Sequence, residues 1–370
     1  MSISEQIRLV IDAHGLGSRV GGNETYTRTL VDALASSNET DVVCYVHRDE
    51  SVGRLPATMR ALRSTDPIIR NFVEIPVRAR LDRAEVLHCQ YFLPPFCGRT
   101  AVMVHDISFE EHPEWFARRD LFLLKTWVPI SVRHASVVLT VSDFCKNRIV
   151  DIYQVPPERI HVTPNALPPD YGRYVSRDEG LQAARQFGIT KPYLACVGNL
   201  QPRKNIDGLI AAWIQLRRRR RDLDLQLAVV GRKAWMFHPI FEKAKDSEFR
   251  GDIIFTDYVS ANSLPFLYAG AEIMVYPSLY EGFGLPPLES MACGTPVVTG
   301  EHTGLREVCA DAVHYADVRS TEALSEAIER LLDDRSRRSA LSKRGRVHCR
   351  EFTLEKLRDT TLAAVKAAVS

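Results

Sequence analysis

No apolar run in the 370 residues approaches the roughly 18 needed to cross a bilayer, so no membrane-spanning helix is expected. The opening residues, Met1-Ser2-Ile3-Ser4-Glu5-Gln6, hold neither a basic nor an apolar segment; a secretory signal is not expected, and a cytoplasmic location is. Neither sign of charge is in excess: 48 Lys and Arg against 46 Asp and Glu leave +2, which argues neither for nor against nucleic acid. The eight cysteines (44, 89, 97, 145, 196, 293, 309 and 349) lack paired metal-ligand spacing. Several, Cys44 and Cys196 among them, fall in apolar strand-like runs, so reduced core thiols are expected rather than disulfides or a structural zinc. No short-period repeat is visible.

What is present is the make-up of a globular protein, 45% apolar and 25% charged. Its length is too great for one ordinary core, and two α/β domains are expected. A first strand at 7–12 leads into Gly15, Gly17, Gly21 and Gly22, with Asn23 expected to cap a helix to about 35. Such a turn lets a ligand approach the backbone, although the standard G-x-G-x-x-G register is missing. Further buried strands are expected at 42–46, 85–88, 101–105 and 136–141. The third ends in His105-Asp106, at the carboxyl end where a cleft would lie; a hydrogen-bonded loop histidine is the alternative. Residues 115–134 interleave Trp115, Phe116, Phe122 and Trp127 with Arg118, Arg119, Lys125 and Arg133. This pattern suits peripheral contact with anionic lipid, against core packing with solvated charge, and Pro129 should kink or end any helix here. Ser142-Asp143 caps a helix to Tyr153, a strand and turn follow at 160–165, and polar 171–190 reads as an interdomain linker after a first domain of 1–170.

The second domain, 191–352, opens with a strand at 193–198, the loop Asn199-Leu200-Gln201-Pro202-Arg203-Lys204-Asn205 and a helix ending in the arginine run 217–221. That run suits a helix carboxyl end better than nucleic acid, which needs a broader basic face. Asp222-Leu223-Asp224 matches a metal-holding D-x-D pattern but precedes its strand, on the wrong side of the sheet, so no metal is expected there. After a strand at 271–276 comes Tyr280-Glu281-Gly282-Phe283-Gly284-Leu285-Pro286-Pro287-Leu288-Glu289, two carboxylates flanking a glycine loop and a proline-started helix. A strand–loop–helix unit of this kind is where open α/β sheets bind ligands. Thr353 caps a last amphipathic helix to about 369.

Taken together, Gly21-Gly22, His105-Asp106, Ser142-Asp143-Phe144-Cys145-Lys146, Pro202-Arg203-Lys204-Asn205, Asp257-Tyr258-Val259, Glu281-Gly282-Phe283-Gly284 with Glu289, and Ala292-Cys293-Gly294-Thr295-Pro296 identify a resemblance. The chain resembles the family 4 retaining glycosyltransferases along nearly its whole length. The resemblance implies an α/β GT-B fold: two facing Rossmann-like domains with a cleft between them, the C-terminal helix 353–370 returning to the first. It also implies an acceptor-binding first domain, a nucleotide-sugar-binding second domain, and activity that depends on their closure.

For the site, the resemblance implies that Arg203 and Lys204 meet the donor pyrophosphate, helped by backbone N–H groups at Gly282, Phe283, Gly284 and Leu285. Glu281 would bond the transferred sugar, Glu289 the ribose, and His105 a sugar hydroxyl. Gly21 and Gly22 would approach phosphate or acceptor, and Tyr258 and Val259 would line the base. Asn199 stands where many relatives carry Arg, leaving the positive charge to Arg203 and Lys204. Related enzymes are thought to attack from the front face, the leaving phosphate taking the acceptor's proton. No metal or other cofactor is expected. His105-Asp106-Ile107-Ser108-Phe109 followed by Glu111-His112-Pro113 looks like the mannosyltransferases that use GDP-mannose, with a saccharide or lipid-linked saccharide as acceptor and no nucleic acid. A UDP-sugar donor, a nucleotide-sugar epimerase and a catalytically silent nucleotide-sugar-binding subunit are the alternatives.

Overall fold

The computed structural model describes residues 6–18, 21–47 and 52–369; the opening five residues read for a signal lie outside it. Two compact units divide the chain: residues 1–166 with 352–370, and residues 167–351.

The first unit is a parallel sheet of seven strands: β1 (Ile7–Asp12), β2 (Thr40–His47), β3 (Thr58–Leu62), β4 (Val86–Gln90), β5 (Arg99–Val104), β6 (Val137–Thr140) and β7 (Ile160–Val162). Their order is β3-β2-β1-β4-β5-β6-β7. β1 pairs with β2 from Ile7↔Thr40 and with β4 from Leu9↔Val86, so the order reverses at β1. Helices cover the sheet, and strand residues such as Val10, Ile11, Val43, Val102 and Leu139 are fully buried, which is why these runs read as continuously apolar. Only β3 escaped the sequence pattern: it is an edge strand with Thr58, Met59 and Arg60 exposed, and it has no apolar run to show.

Two expectations are corrected here. The first helix, Gly22–Ala35, is not capped by Asn23; its N-cap is Gly21 at φ 81°, a conformation glycine adopts without strain, and Glu24 reaches back to accept the Gly17 N–H at 2.9 Å. Pro129 does not end its helix, which runs unbroken over Arg118–His134. Beyond the proline, the Ser131 hydroxyl donates to the Trp127 carbonyl and accepts the Leu93 N–H, holding the last turns to the unit. The closing helix, Leu354–Val369, packs on Gly22–Ala35 and on β4 to β7, and Thr353 accepts the Lys356 N–H as its cap.

The second unit is a six-stranded parallel sheet of β8 (Tyr193–Val197), β9 (Gln226–Val230), β10 (Ile253–Asp257), β11 (Ile273–Tyr276), β12 (Val297–Thr299) and β13 (His314–Tyr315). The order β10-β9-β8-β11-β12-β13 is that of a Rossmann sheet, reversing between β8 and β11. The helix Ile206–Arg219 buries Leu209, Ile210, Trp213 and Leu216 against it.

Arg217 to Arg220 of the arginine run are occupied within the unit. Arg217 is buried with Asp252 and lies over the Trp213 and Phe249 rings, while Arg218 pairs with Glu248, Arg219 with Glu329, and Arg220 with Asp222 and Asp333. Of the D-x-D pair, Asp222 is thus held by Arg220, and Asp224 is held by Lys191 at 2.8 Å. Residues 171–190 are not a linker. They include the helix Arg177–Ala184, started by a capping box of Ser176 and Glu179, and it packs on the helix Leu264–Gly270. Gly180 and Gly270 touch backbone to backbone, a Cβ on Gly180 falling 2.4 Å from the Gly270 nitrogen. Polarity hid this helix because its contact is made by small residues rather than by an apolar stripe.

All eight cysteines are unpaired thiols, seven of them buried. Among the described residues no helix is long and apolar enough to cross a membrane.

Candidate active site

The loops leaving the carboxyl ends of β8 and β11 stand side by side, because Leu194 on β8 pairs with Ile273 on β11. The first carries Arg203 and Lys204 in a short turn; the second carries Glu281. Backbone bonds fasten one to the other: the Arg203 carbonyl accepts the Leu279 N–H at 2.8 Å and the Ser278 hydroxyl at 3.2 Å. Lys204 Nζ donates to Glu281 Oε1 at 2.5 Å and to the Tyr276 hydroxyl at 2.6 Å. The same Oε1 accepts the Tyr276 hydroxyl at 2.9 Å and the Ser278 hydroxyl at 2.5 Å. Arg203 donates to the Tyr280 carbonyl at 3.0 Å and reaches Glu281 Oε2 at a longer 3.4 Å.

These side chains are largely buried, at 16% exposure for Arg203, 12% for Lys204 and 8% for Glu281. Burial pushes the Glu281 carboxyl up, but Arg203 and Lys204 overcome it and hold the group at about 2. Two cations on one carboxylate leave a local charge of +1 at the switch point of the sheet, where ligands of open α/β folds lie.

The glycine loop is shaped by close approach. Gly284 is the N-cap of the helix Leu285–Cys293 at φ 101°, and a Cβ there would sit 2.6 Å from Leu305. Gly304 presses on the Gly282 carbonyl, its N–H bonds the Glu281 carbonyl at 2.9 Å, and Thr303 Oγ1 accepts the Glu281 N–H at 3.1 Å. Phe283 is buried. Prolines at 286 and 287 carry no N–H, so Leu285 is the sole donor among the first three helical residues, and the other N–H groups of this stretch are those of the glycine loop 282–284.

Glu289, one turn further, is 6% exposed and accepts the Tyr268 hydroxyl at 2.8 Å. Burial raises its carboxyl and the hydroxyls of Tyr268 and Tyr171 lower it, leaving it at about 7. The two acids of one loop and helix are therefore driven apart, Glu281 ionised and Glu289 near neutrality. Asn199 lies half-buried after β8. Tyr258 (exposed) and Val259 (buried) follow the edge strand β10, two strands from β8.

In the first unit, Gly21 and Gly22 follow β1, and a Cβ on Gly22 would meet nothing within 4 Å. His105 follows β5, and its Nε2 lies 2.8 Å from Gln90 Oε1. Gln90 in turn donates to Thr27 Oγ1 at 2.8 Å, which fixes its amide so that the oxygen faces the imidazole. Burial, with His88 nearby, pushes the His105 imidazole down to about 4 against the opposing pull of Asp106, so it is neutral near pH 7. Its Nε2–H donates to Gln90, leaving Nδ1 as the acceptor. The Tyr26 ring packs edge-on to His105 at 4.7 Å, and the Tyr26 hydroxyl meets His88 Nε2 at 3.0 Å.

Sequence reasoning missed Tyr276, Ser278, Thr303 and Gly304 around Glu281, and Gln90 and Tyr26 around His105. Tyr276 and Gln90 end strands β11 and β4 as polar groups closing apolar runs, a signal of the same kind that marked His105.

The residues 20–171 match the family model for Glycosyltransferase Family 4, and residues 181–348 the model for Glycosyl transferases group 1. The O-antigen chain mannosyltransferase B of Escherichia coli is 34% identical over 279 residues, covering 75% of this chain and 72% of that protein. The O-antigen chain mannosyltransferase RfbU of Salmonella typhimurium is 27% identical over 349 residues, covering 89% and 93%. In fold, the chain is similar to a sucrose-phosphate synthase from Thermosynechococcus elongatus, with a TM-score of 0.76 at 19% identity over 97% of this chain and 98% of that one. It is equally similar to Anabaena HepE solved with UDP and glucose, with a TM-score of 0.76 at 14% identity over 98% of this chain and 100% of that one. With two Rossmann sheets of this order and this match along both of them, the chain belongs to the family 4, group 1 glycosyltransferases and is a glycosyltransferase of the GT-B fold.

Proposed function

We propose that the protein transfers mannose from GDP-mannose to a saccharide or lipid-linked saccharide, with retention of anomeric configuration, in glycan assembly. The observation that carries the choice of sugar is the 34% identity to an O-antigen mannosyltransferase. As the bond from the anomeric carbon to the diphosphate breaks, negative charge grows on the leaving oxygen. Arg203 supplies a planar fork and Lys204 a point charge against it, both pre-aimed by Glu281, so little reorganisation is needed. The acceptor hydroxyl attacks from the same face, and its proton passes to the leaving phosphate oxygen, which removes the need for a carboxylate nucleophile.

Glu281 Oε1 is crowded with donors, so Oε2 is the oxygen assigned to a sugar hydroxyl. Glu289 is assigned to the ribose, and Tyr258 and Val259 to the base. His105, neutral, offers Nδ1 to a sugar hydroxyl. Gly22 leaves room for the acceptor. No step requires a metal, and the reaction is placed in the cytoplasm.

A donor panel tests the reading. GDP and GDP-mannose should raise the thermal midpoint, and GDP release with a mannolipid or mannosaccharide product should follow. Stabilisation and turnover with UDP-glucose, UDP-galactose or UDP-N-acetylglucosamine instead would replace the donor. A new nucleotide sugar formed without acceptor would replace the reaction by epimerisation.

A further inference from the structure

The helical segment 67–81, with a π turn at Arg70–Glu74, is amphipathic the wrong way round for a helix facing water. Its buried side holds Arg70, Ile75, Pro76 and Ala79. Of its seven exposed positions from 68 to 81, six are apolar: Ile68, Ile69, Phe72, Val73, Val77 and Leu81. Ile68 is 69% and Leu81 77% exposed, and the six stand together on one helical segment rather than singly over the surface.

This face continues onto the helix Arg118–His134. The Phe72 and Trp127 rings meet edge to face at 5.2 Å, and Leu123 and Ile130 lie four before and three after Trp127, on its face and exposed. Only part of 115–134 belongs to it: Trp115 stacks on His112 at 4.0 Å and Phe116 packs on Phe109.

Charge favours one occupant. Residues 63–83 and 117–134 hold nine Arg and Lys against four Asp and Glu, a net of +5 in a chain whose total is +2. The remainder of the chain is therefore net negative. Arg63, Arg80, Arg83, Arg118, Arg119 and Arg133 are exposed on these segments. A second copy of the chain would bring the same excess of positive charge to the contact, whereas an anionic bilayer opposes it and accepts the apolar side chains between its headgroups.

We propose that the helices 67–81 and 118–134 form a docking face for an anionic lipid surface. Apolar side chains of the first helix, with Leu123, Trp127 and Ile130, enter the headgroup boundary, and the exposed arginines pair with lipid phosphates. The face stands whether or not the donor is GDP-mannose, and its test reads no transfer.

The test is co-flotation of the full chain with phosphatidylcholine vesicles, with and without about one third phosphatidylglycerol. The chain should float with the anionic vesicles and hardly with the neutral ones. An Arg near such a surface strengthens partitioning roughly fivefold, so Arg118→Ser with Arg119→Ser should weaken it on the order of twentyfold. Ile69→Ser with Val73→Ser should weaken it comparably, and both pairs should melt as the wild type does because the positions are exposed. Failure of the wild type to float with anionic vesicles overturns the proposal, as does flotation that neither pair alters. A wild-type dimer in sedimentation that Ile69→Ser with Val73→Ser dissociates, without vesicle binding, overturns it in favour of a second copy.

Discussion

Replacing Glu281 by Gln keeps the shape of the side chain and removes the one negative charge that Lys204 and Arg203 share. The cost can be reached in two ways. A carboxyl held at about 2 instead of 4.5 contributes roughly 3 kcal/mol to the folded state at neutral pH. Breaking a buried ion pair by deleting one partner costs roughly 3–5 kcal/mol, and the 8% and 12% exposures of Glu281 and Lys204 place this pair in that class. Glu281→Gln should therefore lose roughly 3 kcal/mol, and Lys204→Met a similar amount. The double variant should lose less than the two together by about 1–3 kcal/mol, because the orphaned charge is then absent. Urea unfolding of the four proteins, followed by circular dichroism, measures this coupling. The pH dependence has a definite sign: the folded carboxyl titrates below its unfolded value. The contribution is thus full above about pH 4.5 and lost as the pH falls through about 2, and it is absent from the variants that lack the Glu281 carboxyl. Losses additive within about 0.5 kcal/mol would refute the reasoning and leave Lys204 and Glu281 as neighbours without mutual dependence.

Lys204→Ala should lower transfer by at least about tenfold, roughly 1.4 kcal/mol of transition-state stabilisation; normal turnover of the folded variant removes Lys204 from the reaction. Glu289, held at about 7, works in the opposite sense to Glu281: its contribution is full below about pH 4.5 and lost as the pH rises through about 7. The wild-type melting temperature should accordingly fall between about pH 4.5 and pH 7 and level off above, while that of Glu289→Gln stays flatter, and parallel curves would contradict the burial argument. Gln90→Glu places a carboxylate at His105 Nε2 and should move the pH profile of transfer upward, whereas a merely structural Gln90 would leave the profile in place. Transfer should persist in excess EDTA, since Asp222 and Asp224 are held by Arg220 and Lys191; loss that magnesium alone restores would sink that expectation.

Much of the fold was legible because buried parallel strands leave an unmistakable record. The runs at 9–11, 101–104 and 193–197 are apolar on both faces, and each run gives way to a loop at the carboxyl end of its sheet. Gly284 and the prolines of 286–287 likewise announced a turn and a helix start. The helix at 177–184 and the edge strand β3 were hidden for the converse reason, since glycine contacts and a single ladder leave no hydrophobic period.

By itself, then, the amino-acid sequence determined the alternation of strand and helix and the loops that carry Arg203, Lys204, Glu281 and His105, because burial and backbone conformation act over a few neighbouring residues. Only the tertiary structure decided which polar groups meet. Lys204 finds Tyr276 and Glu281 across 72 and 77 residues because β8 and β11 are adjacent in the sheet, and Gln90 finds His105 because β4 lies beside β5. It also decided that the helix at 67–81 turns its apolar side outward: periodicity shows that a helix has two faces, and packing alone determines which of them the core takes.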